Sequence, residues 1–528
     1  MTRRRASGTA PRGRSATPEA LAAVQAALAT LPLRRDALIE HLHALQQAHG
    51  ALREGHLVAL AELLRLAPVE VFEVASFYAH FEILPDDAPP PLPVLRVCEG
   101  LPCAMAGGAA LHAALAAQAG RRVVGAPCMG ACHNAPAVAL GHCLVEHATP
   151  ARVAAAASTP LPLPPHPYAL LHAAPAAEAM LEALEASGLR GMGGAGFPVA
   201  RKWRAVLAQP GRRQLVVNAD EGEPGTFKDR WCLETAPHRV LEGMLLAARA
   251  IQAEACWIYL RDEYDALHDL LARAIAAAPA AGMPIHLRRG AGAYICGEET
   301  ALLESLEGKR GWPRHKPPFP GEQGLFGLPT LIQNVETLWW LPEVLAAPAA
   351  FAARGRNGAR GERLFSLSGR VRNPGVKRAP AGSTARELLE QHGGGMLPGH
   401  AFRAYLPGGA SGGILPAGMA DLPLDFGTLE PYGCFVGSAA VVVLSDADDL
   451  AEAARNLVRF FRDESCGQCT PCRVGTAKAA ALLEAPRWDR ALLQELAAAM
   501  ADGSICGLGQ AAMNPVRSLL RFLPELLP

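Results

Sequence analysis

Two neighbouring stretches decide the fold of the middle of this chain: Gly191-Met-Gly-Gly-Ala-Gly-Phe197 and Asn218-Ala-Asp-Glu-Gly-Glu-Pro-Gly-Thr-Phe-Lys-Asp-Arg230. The first contains the spacing G-x-G-x-x-G, in which bare backbone can lie against a phosphate or a planar ring. Lys202 follows it and supplies positive charge. The spacing alone is also compatible with a loop that caps a helix and binds nothing.

The second stretch directly follows the apolar run Leu215-Val216-Val217, which predicts a buried strand. Another such run, Cys256 to Leu260, lies beyond a helical segment, so we expect an α/β sheet domain. Loops at the carboxyl ends of strands bind ligands in such domains. The loop carboxylates Asp220, Glu221 and Glu223 can hold ribityl or ribose hydroxyls, bind Mg²⁺, or remain as solvated charge.

Three later segments add amide, hydroxyl and aromatic groups: Gly290-Ala-Gly-Ala-Tyr-Ile-Cys-Gly-Glu-Glu-Thr300, Lys316-Pro-Pro-Phe319 and Gln333-Asn-Val-Glu-Thr337. Amides and hydroxyls suit the edge of a flavin ring, which presents alternating donors and acceptors. Phe197 and Phe319 can stack on adenine or nicotinamide, although aromatic residues of this kind are by default part of a core.

Four cysteines near the C-terminus form the most specific pattern. Cys466, Cys469 and Cys472 follow the spacing C-x2-C-x2-C, and Cys506 lies beyond an intervening helical stretch. Three thiolates at this spacing can bind three irons of a cubane, and a fourth thiolate from a distant position can bind the remaining iron. The pattern therefore favours a [4Fe–4S] cluster. Zinc also accepts four thiolates, and ordinary buried cysteines are the remaining alternative.

A second set of four cysteines lies in the N-terminal third: Cys98-x4-Cys103 and Cys128-x3-Cys132. Each pair adjoins a strand candidate and has small neighbours, which let backbone N–H groups approach cluster sulfurs. Paired cysteines of this kind suit a [2Fe–2S] cluster. Zinc and the empty remnant of a former site are the alternatives. We interpret His133, beside Cys132, as a surface residue and not as a ligand.

The composition limits the function classes. The chain has 528 residues, with 50 Lys+Arg and 50 Asp+Glu, so nothing favours nucleic acid or an anionic membrane surface as a partner. No apolar stretch is a convincing membrane span. No apolar region follows the arginines at 3–5, which predicts a disordered tail and not an export signal. Eight of 13 cysteines fall in the two sets, which indicates a reduced, cytoplasmic protein.

Periodicity divides the chain into regions. Helical spacing of leucines and valines runs from about 18 to 85, a small α/β unit from 94 to 157, and a larger α/β unit from 177 to 350. A β-rich region from 363 to 445 and a helical region from 448 to 528 follow. Proline-rich segments at 85–93 and 158–175 predict linkers.

These motifs, in this order, resemble the flavin-binding, NADH-oxidising subunit of bacterial respiratory complex I. They also resemble the matching subunits of NAD-reducing hydrogenases and NAD-dependent formate dehydrogenases. The resemblance covers about residue 177 to the C-terminus. Residues 18–157, with Val71-Phe-Glu-Val-Ala-Ser-Phe-Tyr78, resemble the small [2Fe–2S] subunit of the same enzymes, so the chain looks like a fusion of two subunits.

The resemblance implies a multidomain α/β fold. Its expected parts are a disordered tail (1–17), a helical bundle (18–88), a thioredoxin-like [2Fe–2S] domain (89–157), a linker (158–176), a Rossmann-like FMN/NAD-binding domain (177–360), a ubiquitin-like β-grasp domain related to soluble-ligand-binding domains (361–446) and a helical [4Fe–4S] domain (447–528).

The resemblance also implies roles for individual residues. FMN would be held by Gly191, Gly193, Gly194, Lys202, Asn218, Asp220, Glu221, Gly297, Asn334 and Thr337. NADH would stack on Phe197 and Phe319, with Glu223 on the adenosine ribose, which favours NAD(H) over NADP(H). Glu298, Glu299, Tyr294 and Lys316 would lie near the nicotinamide and the flavin. The two cysteine sets would bind [4Fe–4S] and [2Fe–2S].

The chain departs from the family pattern at four places. The family usually has Arg where this chain has Met192, Asn where it has Gln333, and a second adenine-stacking Phe where it has Ala205. The segment between Cys103 and Cys128 is also short. We therefore expect an FMN-dependent NADH dehydrogenase subunit, without a catalytic side chain because FMN does the chemistry. Alternatives are a non-catalytic electron-transfer or scaffold subunit and a zinc-stabilised assembly protein.

Overall fold

The computed structural model describes residues 14–89, 91–118, 120–173, 175–280 and 282–528. Most of the expected disordered tail, residues 1–13, lies outside the described residues. Residues 14–17 pack on the first helices, because the backbone N–H of Ala16 donates to Glu62 Oε1 at 2.8 Å. Within the described ranges, no helix is both long enough and apolar enough to cross a membrane.

The N-terminal unit is helical, as the periodicity predicts. Its helices are α1 (Pro18–Ala27), α2 (Leu38–His49), α3 (Glu54–Leu64) and α4 (Pro68–Phe77), and its short parallel strands are β1 (Leu52–Arg53) and β2 (Ile83–Leu84). The Thr17 side chain caps α1, and Gly50 ends α2 in the left-handed conformation that glycine adopts without strain.

The next unit is a four-stranded sheet with helices. Its strands are β3 (Val94–Cys98), β4 (Arg122–Ala126), β5 (Val138–Leu140) and β6 (Cys143–Val145), and its helices are α5 (Leu101–Met105), α6 (Gly108–Ala116) and α7 (Pro150–Ala154). The order is β4-β3-β5-β6, and only β3 and β4 are parallel. Strand β3 ends at Cys98, as predicted.

The expected linker at 158–176 is partly structured and packed. It contains helix α8 (Ala169–Ala173). The carboxylate of Glu242 accepts the backbone N–H groups of Leu170 and Leu171 at 2.9 and 3.0 Å, and the Tyr168 hydroxyl lies 2.6 Å from His238 Nδ1. The prolines of this segment predict a linker, and its second half is packed because buried polar groups of the following domain bind it.

The largest unit has a parallel sheet covered by helices. Its helices are α9 (Ala177–Ser187), α10 (Val199–Leu207), α11 (Lys228–Thr235), α12 (Pro237–Ile251), α13 (Asp265–Ala277), α14 (Glu299–Leu306), α15 (Val335–Ala346) and α16 (Pro348–Ala352). Its strands are β7 (Arg213–Ala219), β8 (Ala253–Leu260), β9 (Ile285–Arg289) and β10 (Thr330–Asn334), in the order β10-β7-β8-β9. All strand ends that bear the polar loops therefore lie at one edge.

The β-rich region is a five-stranded mixed sheet. Its strands are β11 (Glu362–Gly369), β12 (Gly375–Pro380), β13 (Phe402–Leu406), β14 (Leu415–Pro416) and β15 (Ala440–Ser445), with α17 (Ala385–Glu387) continuing into a π-helical turn (Leu388–His392). The order is β12-β11-β15-β13-β14, and β11 and β15 are the parallel pair.

The C-terminal unit is helical, as predicted, with α18 (Leu450–Asp463), α19 (Thr470–Leu483), α20 (Arg490–Gly503), α21 (Gly507–Ala511) and α22 (Asn514–Phe522). One buried apolar cluster extends from α1–α4 through α14 to these helices. The Tyr78 hydroxyl, at the end of α4, lies 2.8 Å from both Ser305 Oγ and the Lys309 carbonyl. The N-terminal helices therefore pack directly on the parallel-sheet unit.

Candidate functional site

The glycine stretch forms an open loop beside the start of α15. The backbone N–H of Gly191 donates to the Phe197 carbonyl at 2.8 Å, and that of Met192 donates to Thr337 Oγ1 at 2.9 Å. Gly194 has φ +114°, a conformation that favours glycine, and a Cβ added there would meet no atom closer than 3.8 Å. The loop therefore leaves bare backbone for a ligand to approach.

Two asparagines that the sequence analysis assigns to FMN, Asn218 and Asn334, lie side by side at the carboxyl ends of β7 and β10. Asn218 and Asn334 are direct partners in the register of the two strands. Asn218 Nδ2 donates to the Gly297 carbonyl at 2.8 Å, whereas Asn334 Oδ1 caps α15 by accepting the N–H of Glu336 at 3.0 Å. The sheet edge thus gathers residues from positions 218, 297 and 334.

Two buried polar atoms at this edge lack hydrogen-bond partners among the described residues: Asp220 Oδ2 and Gln333 Nε2. One is an acceptor and the other a donor. Burial raises the pKa of Asp220 well above its usual value, although Arg261 opposes the shift. Unpaired buried polar groups are costly, so an acceptor and a donor at one strand edge fit a polar ligand such as FMN.

Two lysines and two glutamates predicted from distant segments form one charged group. Lys316 Nζ lies 3.0 Å from Glu298 Oε1 and 2.8 Å from Glu299 Oε1, and Lys202 Nζ lies 3.3 Å from Glu299 Oε2. Burial tends to raise the pKa of Glu299, but Lys202 and Lys316 outweigh it and hold the pKa below its usual value. This group joins α10 to the start of α14.

Two of the three loop carboxylates, those of Glu221 and Glu223, accept hydrogen bonds from other groups of the protein. Glu221 caps α11 by accepting the N–H groups of Asp229 and Arg230 at 2.8 and 3.0 Å, and it also accepts from the Tyr264 hydroxyl at 2.9 Å. Burial and the nearby Asp229 raise its pKa to about 7. Both oxygens of Glu221 thus complete a helix terminus, and its predicted part in cofactor binding stays a prediction.

Glu223 is held between two domains. Its Oε1 accepts the backbone N–H and the hydroxyl of Ser411 at 2.7 and 2.6 Å, and its Oε2 accepts from the Tyr294 hydroxyl. Ser411 belongs to the mixed-sheet unit, so this carboxylate fixes that unit against the acidic loop.

The two phenylalanines singled out for stacking are exposed. Phe197 is 47% exposed and Phe319 is 54% exposed, so the interpretation of them as core residues is wrong. The guanidinium of Arg201 lies 5.5 Å from the centre of the Phe197 ring. Exposed aromatic faces such as these are available for a base or a nicotinamide.

The four C-terminal cysteines are free thiols that pack around one apolar cluster. Cys469 and Cys506 immediately precede α19 and α21, whose first N–H groups point toward the N-terminal end of each helix. Four cysteines, two of them at helix N-termini, fit an anionic iron–sulfur cluster. Cys472 Sγ lies 3.2 Å from Ser465 Oγ.

The cysteine loop is bonded directly to the sheet-edge site. Trp312 Nε1 donates to the Cys466 carbonyl at 3.1 Å, and the backbone N–H of Tyr294 donates to Glu464 Oε2 at 2.8 Å. Tyr294 begins the 3₁₀ turn that ends at Gly297, the acceptor for Asn218. One short turn therefore contacts both the predicted flavin residues and the predicted [4Fe–4S] loop.

The N-terminal cysteine set is complete despite its short connecting segment. All four are buried free thiols, and Cys128 Sγ lies 3.3 Å from Cys132 Sγ. Gly100 lies between the pairs, since a Cβ added there would be 3.3 Å from Cys128 Cβ and 3.5 Å from Cys98 Sγ. The donor set fits a [2Fe–2S] cluster.

Two contacts that the sequence did not predict connect this second set to the parallel-sheet unit. Arg261 Nη2 donates to the Cys128 carbonyl at 2.8 Å. The His133 ring stacks on Phe227 with centroids 4.3 Å apart, and burial lowers the pKa of His133 to about 4. His133 is thus half-buried at a domain contact, and the interpretation of it as a surface residue is wrong. No local pattern marks these contacts.

Comparisons with known proteins agree with this arrangement. Four family models match: a thioredoxin-like [2Fe–2S] ferredoxin (24–159), the Nuo51 FMN-binding domain (184–343), an SLBB domain (364–415) and the NADH-ubiquinone oxidoreductase-F iron–sulfur binding region (452–527). The chain thus carries the domains of an FMN- and iron–sulfur-dependent NADH dehydrogenase subunit.

Curated relatives include an NADH-quinone oxidoreductase subunit of Rhizobium meliloti, 43% identical over 65% of this chain and 86% of that protein. The mitochondrial NADH-ubiquinone oxidoreductase 51 kDa subunit of Neurospora crassa is 42% identical over 65% of this chain and 75% of its own length. The chain belongs to this family of NADH-quinone oxidoreductase 51 kDa-type subunits.

A solved structure extends the likeness to the N-terminal units. A chain of an NAD⁺-reducing [NiFe]-hydrogenase superposes with a TM-score of 0.80 and 34% identity over 93% of this chain and 92% of its own. Because coverage of this extent includes the N-terminal units, the solved chain shares the fusion.

Proposed function

We propose that this chain exchanges hydride between NAD(H) and FMN and passes single electrons to its own iron–sulfur clusters within a larger redox complex. The observation that carries this proposal is the turn from Tyr294 to Gly297. It bonds to Asn218 at the sheet edge and to Glu464 beside the cysteine loop. Electron transfer from a flavin to a cluster needs this adjacency, and an ordinary ligand-binding domain does not.

The residues proposed to hold FMN are those gathered around the glycine loop and the sheet edge: Gly191, Gly193, Gly194, Lys202, Asn218, Asp220, Gly297, Asn334 and Thr337. The unpaired Asp220 Oδ2 supports this assignment most directly. When bound, FMN supplies the hydride chemistry and the clusters supply one-electron steps. No side chain is assigned as a base or nucleophile, because hydride transfer requires neither.

NADH is proposed to lie between the exposed rings of Phe197 and Phe319, with Glu299 and Lys316 on the nicotinamide side. The acidic Glu223 would disfavour a 2′-phosphate, so the preferred nucleotide is NAD(H). The protein's own contribution is to stack, orient and exclude water from the reacting faces.

The cluster ligands are proposed to be Cys466, Cys469, Cys472 and Cys506 for [4Fe–4S], and Cys98, Cys103, Cys128 and Cys132 for [2Fe–2S]. The domain bounds given above are proposed with them: strands β11 to β15 span almost all of residues 361–446, and their order supports a β-grasp domain. The four helices of residues 18–88 support a helical bundle.

The partners are proposed to be other subunits of a hydrogenase, formate dehydrogenase or complex I type assembly, in the cytoplasm. The hydrogenase chain that shares the fusion supports the first of these. The free state of all 13 cysteines supports a reducing compartment.

The test separates hydride transfer from electron transfer. In Cys469→Ser, reconstituted with FMN, iron and sulfide, NADH should still bleach the flavin, but iron per chain should fall by about four atoms and the reduced-cluster EPR signal should vanish. Cys143→Ser is the matched control, since this free cysteine lies outside both sets. A wild-type preparation with bound FMN that NADH does not reduce would refute the proposal.

A further inference from the structure

A group of metal-ligating side chains lies apart from the flavin and cluster sites, where the N-terminal helices meet the parallel sheet. It consists of His43 on α2, His80 after α4, and Asp262 after β8, and one ligating atom of each lies within 4.8 Å of the other two. We propose that His43, His80 and Asp262 bind a zinc ion that links the fused N-terminal helices to the parallel-sheet domain.

The contacts around the first ligand have the form of a metal site. His43 Nε2 lies 2.8 Å from the Gly290 carbonyl, which fixes Nε2 as the protonated nitrogen and leaves the Nδ1 lone pair free. Metal-bound histidines commonly donate their other ring N–H to a carbonyl in this way. The hydrogen bond to Gly290 therefore leaves Nδ1 of His43 available to ligate a metal ion.

The other two ligands already contact each other. His80 Nδ1 lies 2.6 Å from Asp262 Oδ2, and Arg289 Nε donates to Asp262 Oδ1 at 2.7 Å. A zinc ion would take the place of the hydrogen in this contact, since both atoms are Lewis bases, and the neutral ring would carry its one hydrogen on Nε2. Arg289 would then orient the carboxylate from outside the site.

The charges nearby allow a cation. Arg289 is the cationic partner of Asp262, but it also pairs with Asp265 at 2.9 Å. Two carboxylates therefore face the Arg289 guanidinium, and a second guanidinium, that of Arg96, donates to the His80 carbonyl at 3.3 Å. His142, whose Nδ1 accepts from Arg289 at 2.7 Å, contributes no fixed positive charge when neutral.

A cavity of about 790 Å³ gives access to the group. His43, His80 and Asp262 all line it, together with residues of the thioredoxin-like unit such as His142. The cavity provides an entry route and room for a water molecule as a fourth ligand. Two imidazoles, one carboxylate and one water are a ligand set that zinc accepts in tetrahedral geometry.

The backbone fixes one ligand in place. The N–H groups of Ala79 and His80 donate to the carbonyls of Gly292 and Ala291 at 3.1 and 3.0 Å, so the segment after α4 is bound to the loop after β9. A metal that adds a bond between these two segments would tighten the contact between the fused units.

The experiment uses the full holoprotein, incubated with zinc chloride and passed through a desalting column, with zinc, iron and flavin measured per chain. Wild type should retain about one zinc per chain at unchanged iron and flavin. His80→Ala and Asp262→Asn should lower the zinc affinity at least tenfold. His286→Ala, an exposed histidine stacked on Trp257, is the matched control and should bind zinc as wild type does.

Because His80→Ala removes the contact with Asp262 and can destabilise the fold, His43→Ala provides a second test that leaves this contact intact. It too should lose zinc. Equal zinc retention in wild type and in both histidine variants, or zinc uptake that occurs only as iron is lost, would overturn the proposal.

Discussion

Arg261 donates a hydrogen bond from Nη2 to the backbone carbonyl of Cys128 at 2.8 Å and thereby binds the loop after β8 to the N-terminal cysteine set. The guanidinium is 4% exposed, also donates to the Glu221 carbonyl, and pairs with Glu263 at 2.9 Å. This single side chain therefore connects the [2Fe–2S] loop, the acidic loop and the parallel sheet.

We expect Arg261→Ala to lower the free energy of unfolding by about 3 kcal/mol, because it leaves a carboxylate and two buried carbonyls without their cation. Urea denaturation measures the loss, and the [2Fe–2S] EPR signal should weaken with it. Arg204→Ala is the control: Arg204 also pairs with two carboxylates, but on the exposed surface. Identical unfolding curves for both variants would contradict the linking role.

Asp220→Ala tests the unpaired acceptor at the sheet edge. Burial favours the neutral carboxyl, and a hydrogen bond between neutral groups contributes roughly 0.5–1.5 kcal/mol, so the affinity for FMN should fall by about two- to tenfold. Fluorescence titration of the flavin-free protein with FMN measures the change. Asp269→Ala, which removes an exposed partner of Arg273, should leave the affinity unaltered. Full FMN affinity in Asp220→Ala would exclude a flavin contact at this residue.

Phe319→Ala tests the exposed ring as a nucleotide platform. Loss of an aromatic stacking partner worth roughly 0.5–1.5 kcal/mol should raise KM for NADH by about two- to tenfold with kcat little changed. NADH–ferricyanide kinetics measure both constants. Phe326→Ala removes another exposed ring, one that packs edge-on against Trp257 at 5.6 Å, and should not affect KM. A fall in kcat at constant KM would argue against the stacking role.

Glu221→Gln tests the buried helix cap through its pH dependence. Burial and Asp229 raise the pKa of Glu221 to about 7, from about 4.5 in the unfolded chain. Between these values the folded protein keeps a proton that the unfolded chain releases, so the free energy of unfolding falls as pH rises through this window. In Glu221→Gln the side chain does not titrate, so the free energy of unfolding should not show this fall.

The wild type should therefore lose roughly 1–3 kcal/mol relative to Glu221→Gln between pH 5 and pH 8, with little further change above pH 8. Thermal unfolding at closely spaced pH values gives the comparison. Glu234→Gln, in the last turn of the same helix, should follow the wild-type curve. Parallel curves for wild type and Glu221→Gln would show that Glu221 titrates as it does in the unfolded chain.

Much of the fold was predictable because the decisive signals are local. The strands ending at Cys98 and containing Leu215 to Val217 follow from short apolar runs, and the C-terminal helices follow from their periodicity. The packed second half of the expected linker was not predictable, because its order depends on Glu242, more than 70 residues away in sequence.

The sequence by itself determined which residues can bind a cluster or a cofactor. The C-x2-C-x2-C spacing, the paired N-terminal cysteines and the glycine stretch are each short local patterns. Spacing along a chain sets the geometry of such patterns directly. Only the tertiary structure decided which of these side chains are open to a ligand and which form hydrogen bonds within the protein. It turned Glu221 into a helix cap, and it placed Arg261 against Cys128 across 133 residues of sequence. Contacts of that kind depend on how separately folded units pack, and the free energy of that packing comes from the whole buried surface and not from any short pattern.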